Sequence, residues 1–368
     1  MSQVWFVLCI VPALVGAQGG GTSREAAPSP DPIPPEEPIV EQSLQLMSVS
    51  DVKTRRTERP SNVRLLAFGD WGDYRAVSRI DTINPFIRSQ LPSLNGVLLL
   101  GDNFYPAGLN PDLGLDDPKL ELFTHHLAAK IQPEFPFYTV LGNNDVFKKN
   151  GHLQVEFSRI NPNWIMESED SFFITTTGDV CVWAINSNRA SKVASAALDA
   201  RIISDLAGST CRWKIFFAHY PMVTAGAYRT SPEVKMFRQN FLPLVQKHNI
   251  DFFISGHDHT SQVLEITNSS CTFLVSGATV EVRSDSIDRT SPNVPGGATL
   301  VWGQDSLHST ILSLEFSRDI ADYKFLHLIE ENEIVEELFR DLKLWEEEEE
   351  DTNSQIRLPS AVSTDLNV

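Results

Sequence analysis

Five apolar runs along the chain stop abruptly at polar residues of the kind that bind metals. Leu65-Leu66-Ala67-Phe68 stops at Gly69-Asp70, and Val97-Leu98-Leu99-Leu100 stops at Gly101-Asp102-Asn103-Phe104-Tyr105. Phe137-Tyr138-Thr139-Val140-Leu141 stops at Gly142-Asn143-Asn144-Asp145, Ile215-Phe216-Phe217-Ala218 at His219, and Phe252-Phe253-Ile254-Ser255 at Gly256-His257-Asp258-His259. Short apolar runs bounded by glycine predict buried strands, and open α/β sheets place their ligands at such strand ends. Between them, 76–89, 119–131, 196–206 and 233–248 carry apolar residues every three or four positions and predict helices. Strand and helix in alternation predict an α/β core. Further on, 262–266, 272–275, 298–302 and 308–316 read as strands with few helices between them, which adds antiparallel sheet. The expected architecture is α/β (α+β): a four-layer sandwich of two mixed β-sheets flanked by helices.

The chain's two ends depart from this pattern. Val4 to Val15 is apolar and leads into Val15-Gly16-Ala17, the h-region and small-residue cleavage site of a signal peptide over 1–17. No Lys or Arg precedes Val4, so an uncleaved anchor is the alternative, although the stretch is shorter than the ~20 residues of a spanning helix. No other segment approaches that length, so a mature chain without a stable membrane span is expected. Residues 18–60 are rich in Gly, Pro, Ser and Glu and read as a disordered linker or propeptide. The folded domain is expected over 61–328. Within 329–351, Ile334, Val335, Leu338, Phe339, Leu342 and Trp345 fall at helical spacing before the acidic run Glu346 to Asp351. They predict an amphipathic acidic helix that packs back on the domain or meets a protein partner, followed by a disordered tail over 352–368.

Charge narrows the classes of partner. With 30 Lys and Arg against 48 Asp and Glu, the formal charge of −18 opposes phosphate backbones and anionic membranes, which excludes a nucleic-acid binder. It suits a secreted protein or one in the lumen of an acidic compartment. Once Cys9 leaves with the signal, Cys181, Cys211 and Cys271 allow one disulfide. Cys181 and Cys211 each introduce a strand and would pair if those strands are neighbours. Asn268-Ser269-Ser270 is an N-glycosylation sequon.

A dinuclear site for phosphate-ester hydrolysis needs a bridging carboxylate, N and O ligands on each ion, and room for a nucleophile. Asp102 is the candidate bridge. His257 and His259 are two apart, so an extended segment points both to one side. Imidazole, carboxylate, phenol and amide oxygen together suit iron, zinc or manganese. Singly, Asp70 reads as a strand-end cap, Tyr105 as a packed aromatic and His219 as a core histidine; their joint placement at five strand ends reads as a metal site. His125, His126, His152 and His308 sit in no motif and read as structural or surface residues.

Gly69-Asp70-Trp71-Gly72, Gly101-Asp102-Asn103-Phe104-Tyr105, Gly142-Asn143-Asn144-Asp145, Ala218-His219-Tyr220-Pro221 and Gly256-His257-Asp258-His259 resemble, in order, the five motif blocks of purple acid phosphatases of the short, tartrate-resistant type, within the calcineurin-like metallophosphoesterase superfamily. The likeness runs from about Val63 to about Leu328. It implies that Asp70, Tyr105 and His259 hold Fe(III), that Asn143, His219 and His257 hold a divalent ion (Fe, Zn or Mn), and that Asp102 bridges the two. It implies the metallophosphoesterase sandwich and an acid phosphatase acting on small phosphomonoesters or phosphoproteins through a metal-activated hydroxide.

Two departures qualify that expectation. Asn144 stands where the family carries a histidine that contacts the substrate phosphate, and Tyr228 stands where a second histidine follows the His-Tyr-Pro block. Asparagine donates hydrogen bonds but gives no proton to a leaving alkoxide. Leaving-group catalysis should be weakened, with Asn144, Asp145 and Tyr228 as the candidate catalytic side chains. The alternative is a binding or scaffold protein with a structural metal site, similar to the glideosome-associated purple-acid-phosphatase-like proteins.

Overall fold

The computed structural model describes residues 62–175, 179–208, 211–290 and 294–328, and the backbone of 334–342. The expected signal peptide (1–17), linker (18–60) and tail (352–368) lie outside the described residues, as does the acidic run from 346 to 351. In chain order the elements are β1 (Val63–Phe68), α1 (Val77–Gln90), β2 (Gly96–Leu99), β3 (Phe137–Thr139), α2 (Asn143–Val146), α3 (His152–Ile160), β4 (Trp164–Ile165), β5 (Ser171–Thr175), β6 (Val180–Ile185) and α4 (Lys192–Leu206). They continue with β7 (Trp213–Ala218), α5 (Pro232–Lys247), β8 (Phe252–Ser255), β9 (Ser261–Ile266), β10 (Thr272–Ser276), β11 (Ala298–Gly303), β12 (Ser309–Phe316), β13 (Ile320–Leu328) and β14 (Ile334–Leu342).

Two mixed seven-stranded sheets result, ordered β14-β13-β12-β1-β2-β3-β4 and β11-β9-β10-β8-β7-β6-β5. In the first, β1 to β4 are parallel, and β12 to β14 continue the sheet antiparallel from β1. In the second, β6, β7, β8 and β10 are parallel, while β5 pairs antiparallel with β6, β9 with β10 and β11 with β9.

Strand alternation explains the layers. Leu65, Ala67, Leu98 and Leu100 join Val182, Ile215, Phe217 and Ile254 in the core between the sheets. Their neighbours Leu66, Phe68, Val97 and Leu99 face outward onto Ile80, Ile83 and Ile87 of α1. On the other side, Trp183, Phe216 and Phe253 meet Leu198 and Ile202 of α4 and Phe237 and Phe241 of α5. Runs apolar at every position are thus buried on both faces, as expected for parallel strands covered by helices. The expected four-layer sandwich is observed. Serine caps start α4 and α5: Ser191 accepts from Ala194 N–H and Ser231 from Val234 N–H.

Two expectations need correction. Residues 119–131 do not form one α-helix: a 3₁₀ turn over Pro118–Leu120 leads into a π-helical turn over Leu122–Leu127. The wider turn seats Phe123 edge-on against Phe137 and Trp164, with centroids 5.2 and 4.8 Å away. The amphipathic helix expected over 329–351 is also absent where the structure describes it. Residues 334–342 form β14, antiparallel to β13 with Tyr323 opposite Phe339. Without β14, β13 would be a nine-residue open edge of unpaired backbone groups, and pairing along its whole length outweighs the helical spacing of the apolar residues. Cys181 and Cys211 are bonded across the neighbouring ends of β6 and β7, with Cα atoms 5.5 Å apart; Cys271 is buried elsewhere.

Candidate metal centre

Every strand that ends in a predicted ligand delivers it to one edge. Asp70 and Asp102 follow β1 and β2, Asn143 opens α2 just after β3, His219 follows β7, and His257 and His259 follow β8. Three of these backbones are left-handed although none is glycine: φ is 59° at Asp70, 52° at Asp102 and 68° at His257. Such conformations cost on the order of 1–3 kcal/mol each and persist where the surroundings impose them, typically at functional sites. Gly101 shows how tight the packing is. At its φ of 91°, a Cβ would lie 2.7 Å from Gly142 N and 2.8 Å from His219 Nδ1.

The donors converge in two groups that share the Asp102 carboxylate. In the first, the Tyr105 hydroxyl donates to Asp70 Oδ1 at 3.2 Å and lies 3.3 Å from His259 Nε2, which is itself 3.4 Å from Asp70 Oδ1. In the second, His219 Nε2 lies 3.0 Å from Asn143 Oδ1, 3.2 Å from His257 Nδ1 and 3.5 Å from Asp102 Oδ1. Ligand atoms of Asp70, Asp102 and His219 all fall within 4.8 Å of one another. The Leu100 carbonyl sits 2.9 Å from His219 Nδ1 and holds the ring so that Nε2 faces the group.

The electrostatics fit cations at this place. Asp70 and Asp102 are 1% and 2% exposed, and among the described residues neither forms an ion pair with Lys or Arg. Burial would raise the Asp70 carboxyl, but the hydrogen bond and charge of His259, with His219 and His257, hold it below the usual carboxylate range. Burial and the neighbouring His219 push the His257 imidazole well below its ordinary pKa. Burial and the Asp70 and Asp102 carboxylates push the Tyr105 phenol far upward, so only a strongly charged ion beside it would make it a phenolate. Buried carboxylates, imidazoles and an amide oxygen facing one another form a donor set that a pair of metal ions would complete.

A scan against protein-family models matches residues 63–261 to the calcineurin-like phosphoesterase family, more than half of the chain and all five motif blocks. The chain belongs to this family. Purple acid phosphatase 3 of Arabidopsis thaliana is 27% identical over 257 residues, 62% of this phosphoesterase and 67% of the plant protein. Tartrate-resistant acid phosphatase type 5 of Sus scrofa is 24% identical over 269 residues, 65% of this chain and 76% of the relative. Among solved structures, GAP50, described as the anchor in the inner membrane complex of Plasmodium, superposes with a TM-score of 0.60 at 19% identity, covering 78% of this chain and 90% of that one. At that identity the likeness is one of fold.

The remaining expected residues of this phosphoesterase differ in their placement. Asn144 bonds inward to Asp102, its Nδ2 donating to Oδ2 at 2.6 Å and its backbone N–H to Oδ1 at 2.9 Å. The half-buried Tyr228 packs against His257 with ring centroids 4.2 Å apart and planes tilted by 35°. Asp145, expected as a proton carrier, is fully buried and accepts from the backbone N–H groups of Gly142, Asn103 and Phe104 at 2.8, 3.1 and 3.1 Å. Burial and the Asp102 charge push its pKa up to about 7, against those donors. Enclosed in this way, it clamps the loops after β2 and β3 and does not reach the mouth.

Two residues at the site carry no signal in the motifs. Glu281 Oε2 lies 3.1 Å from His259 Nδ1, and Arg283 N–H donates to the His259 carbonyl at 2.7 Å. The clue is that β10 also ends in glycine, Gly277, at the same sheet edge; its ligand-type residues simply come several positions later.

Proposed function

We propose that this phosphoesterase is a secreted or lumenal acid phosphatase that hydrolyses small phosphomonoesters or phosphoproteins at a dinuclear metal site. The observation that carries the reading is the convergence of six donor residues in two groups around Asp102. Asp70, Tyr105 and His259 would hold Fe(III), Asn143, His219 and His257 a divalent iron, zinc or manganese ion, and Asp102 would bridge them. When bound, such ions would supply charge neutralisation for the phosphoryl oxygens and an activated water. The chain's own groups keep the donors in place: the Leu100 carbonyl aims His219, Glu281 faces the far side of His259, and Asn144 holds both oxygens of Asp102. Neither Asn144 nor the enclosed Asp145 offers a proton to the leaving group, so turnover is fastest on esters whose leaving group needs none. The Cys181–Cys211 disulfide, the exposed sequon at Asn268 and the acidic balance support a secretory setting.

The test is turnover of an activated aryl phosphate at acidic pH by iron- and zinc-reconstituted protein, with Asp102→Ala as the blank. Turnover above the blank is expected. Full metal occupancy with no turnover would favour the second reading, a scaffold with a structural metal site, which the inward bond of Asn144 supports.

A further inference from the structure

We infer that Arg283 is the cation that receives the substrate phosphate at the mouth of this site. The inference rests on the phosphatase reading above and assigns a binding residue that no motif block contains. A phosphomonoester approaches a chain of formal charge −18, and Asn144 and Tyr228 at the site bring no positive charge. A fixed cation beside the metal ligands would offset that repulsion and orient the phosphate.

Arg283 is built into such a position. Its backbone N–H is stitched to the His259 carbonyl at 2.7 Å. Its guanidinium Nε and Nη2 are held by Glu281 Oε1 at 2.8 and 2.6 Å, while Oε2 of the same carboxylate faces His259 Nδ1 at 3.1 Å. Arg283 is thereby tied to His259 twice, by its backbone through the His259 carbonyl and by its guanidinium through Glu281. A guanidinium stays charged across the working pH range. Glu281 offsets part of the guanidinium charge, so what Arg283 offers an anion is chiefly its remaining N–H donors. With the side chain 37% exposed and Nη1 outside the Glu281 contacts, the planar fork keeps donors for a phosphate.

The experiment compares the full chain with Arg283→Gln and Arg283→Lys, each reconstituted with iron and zinc. Metal content, inorganic phosphate binding by calorimetry, and KM and kcat for an activated aryl phosphate are measured. Arg283→Gln should keep its metals, weaken phosphate binding and raise KM by about ten- to a hundredfold, and change kcat less, the range for losing one charge-assisted contact. Arg283→Lys should recover part of the loss, since it restores the charge without the fork. Phosphate affinity within twofold of the parent in Arg283→Gln, or loss of metal from that variant, would overturn the inference while the parent's turnover leaves the phosphatase reading standing. A fully metallated parent that neither binds phosphate nor turns over ester would overturn both.

Discussion

Asn144 grips both oxygens of Asp102: its carboxamide donates to Oδ2 at 2.6 Å and its main-chain N–H to Oδ1 at 2.9 Å. The carboxylate that both donor groups share is therefore set from one side by a residue 42 positions away. The amide is thereby engaged with that carboxylate.

Removing the shared carboxylate tests the assignment directly. Asp102→Ala should release at least one of the two metal ions, read as metal-to-protein stoichiometry after reconstitution. Unchanged stoichiometry would refute the dinuclear arrangement.

Replacing Asn144 tests the missing acid. Asn144→His should raise kcat on an alkyl phosphate by tenfold or more while changing an activated aryl phosphate little, because only the poor leaving group needs a proton. An equal change on both esters would show that some other group limits turnover. Loss of the Asn144 amide bond to Asp102 should lower stability by about 1 kcal/mol in a denaturant titration.

Asp145 makes a different prediction. Asp145→Ala removes the acceptor for three backbone N–H groups and for Asn103 Nδ2 in an enclosed place. The expected cost is about 3 kcal/mol or more, seen as a lower denaturation midpoint in both apo and metal-loaded protein. A variant of parental stability that lost only activity would return Asp145 to the chemistry.

The disulfide closes a loop of 30 residues between β6 and β7. Chain-entropy arguments give it about 3–4 kcal/mol. Reductant should lower the parent's thermal midpoint and leave a Cys181→Ala, Cys211→Ala double variant unmoved; equal sensitivity of the two proteins would contradict the pairing.

The sequence by itself determined the strand framework and the polar residues at its edge, because both are local signals. An apolar run that stops at Gly69, Gly101, Gly142 or Gly256 marks a buried strand and its end wherever it occurs, and parallel strands covered by helices must open at a common edge. The five blocks therefore made the family legible before any contact was known. Only the tertiary structure decided which atoms meet. His219 Nε2 reaches Asn143 Oδ1 across 76 residues because β3 and β7 lie in different sheets whose ends coincide, a relation no spacing encodes. Asp145 turned from candidate acid to clamp because its burial depends on the loop after β2 closing over it. Arg283 reached the site through the backbone bond to His259. Residues 334–342, helical by spacing, became a strand because β13 offered an unpaired edge, and a full row of inter-strand hydrogen bonds outweighs a local period.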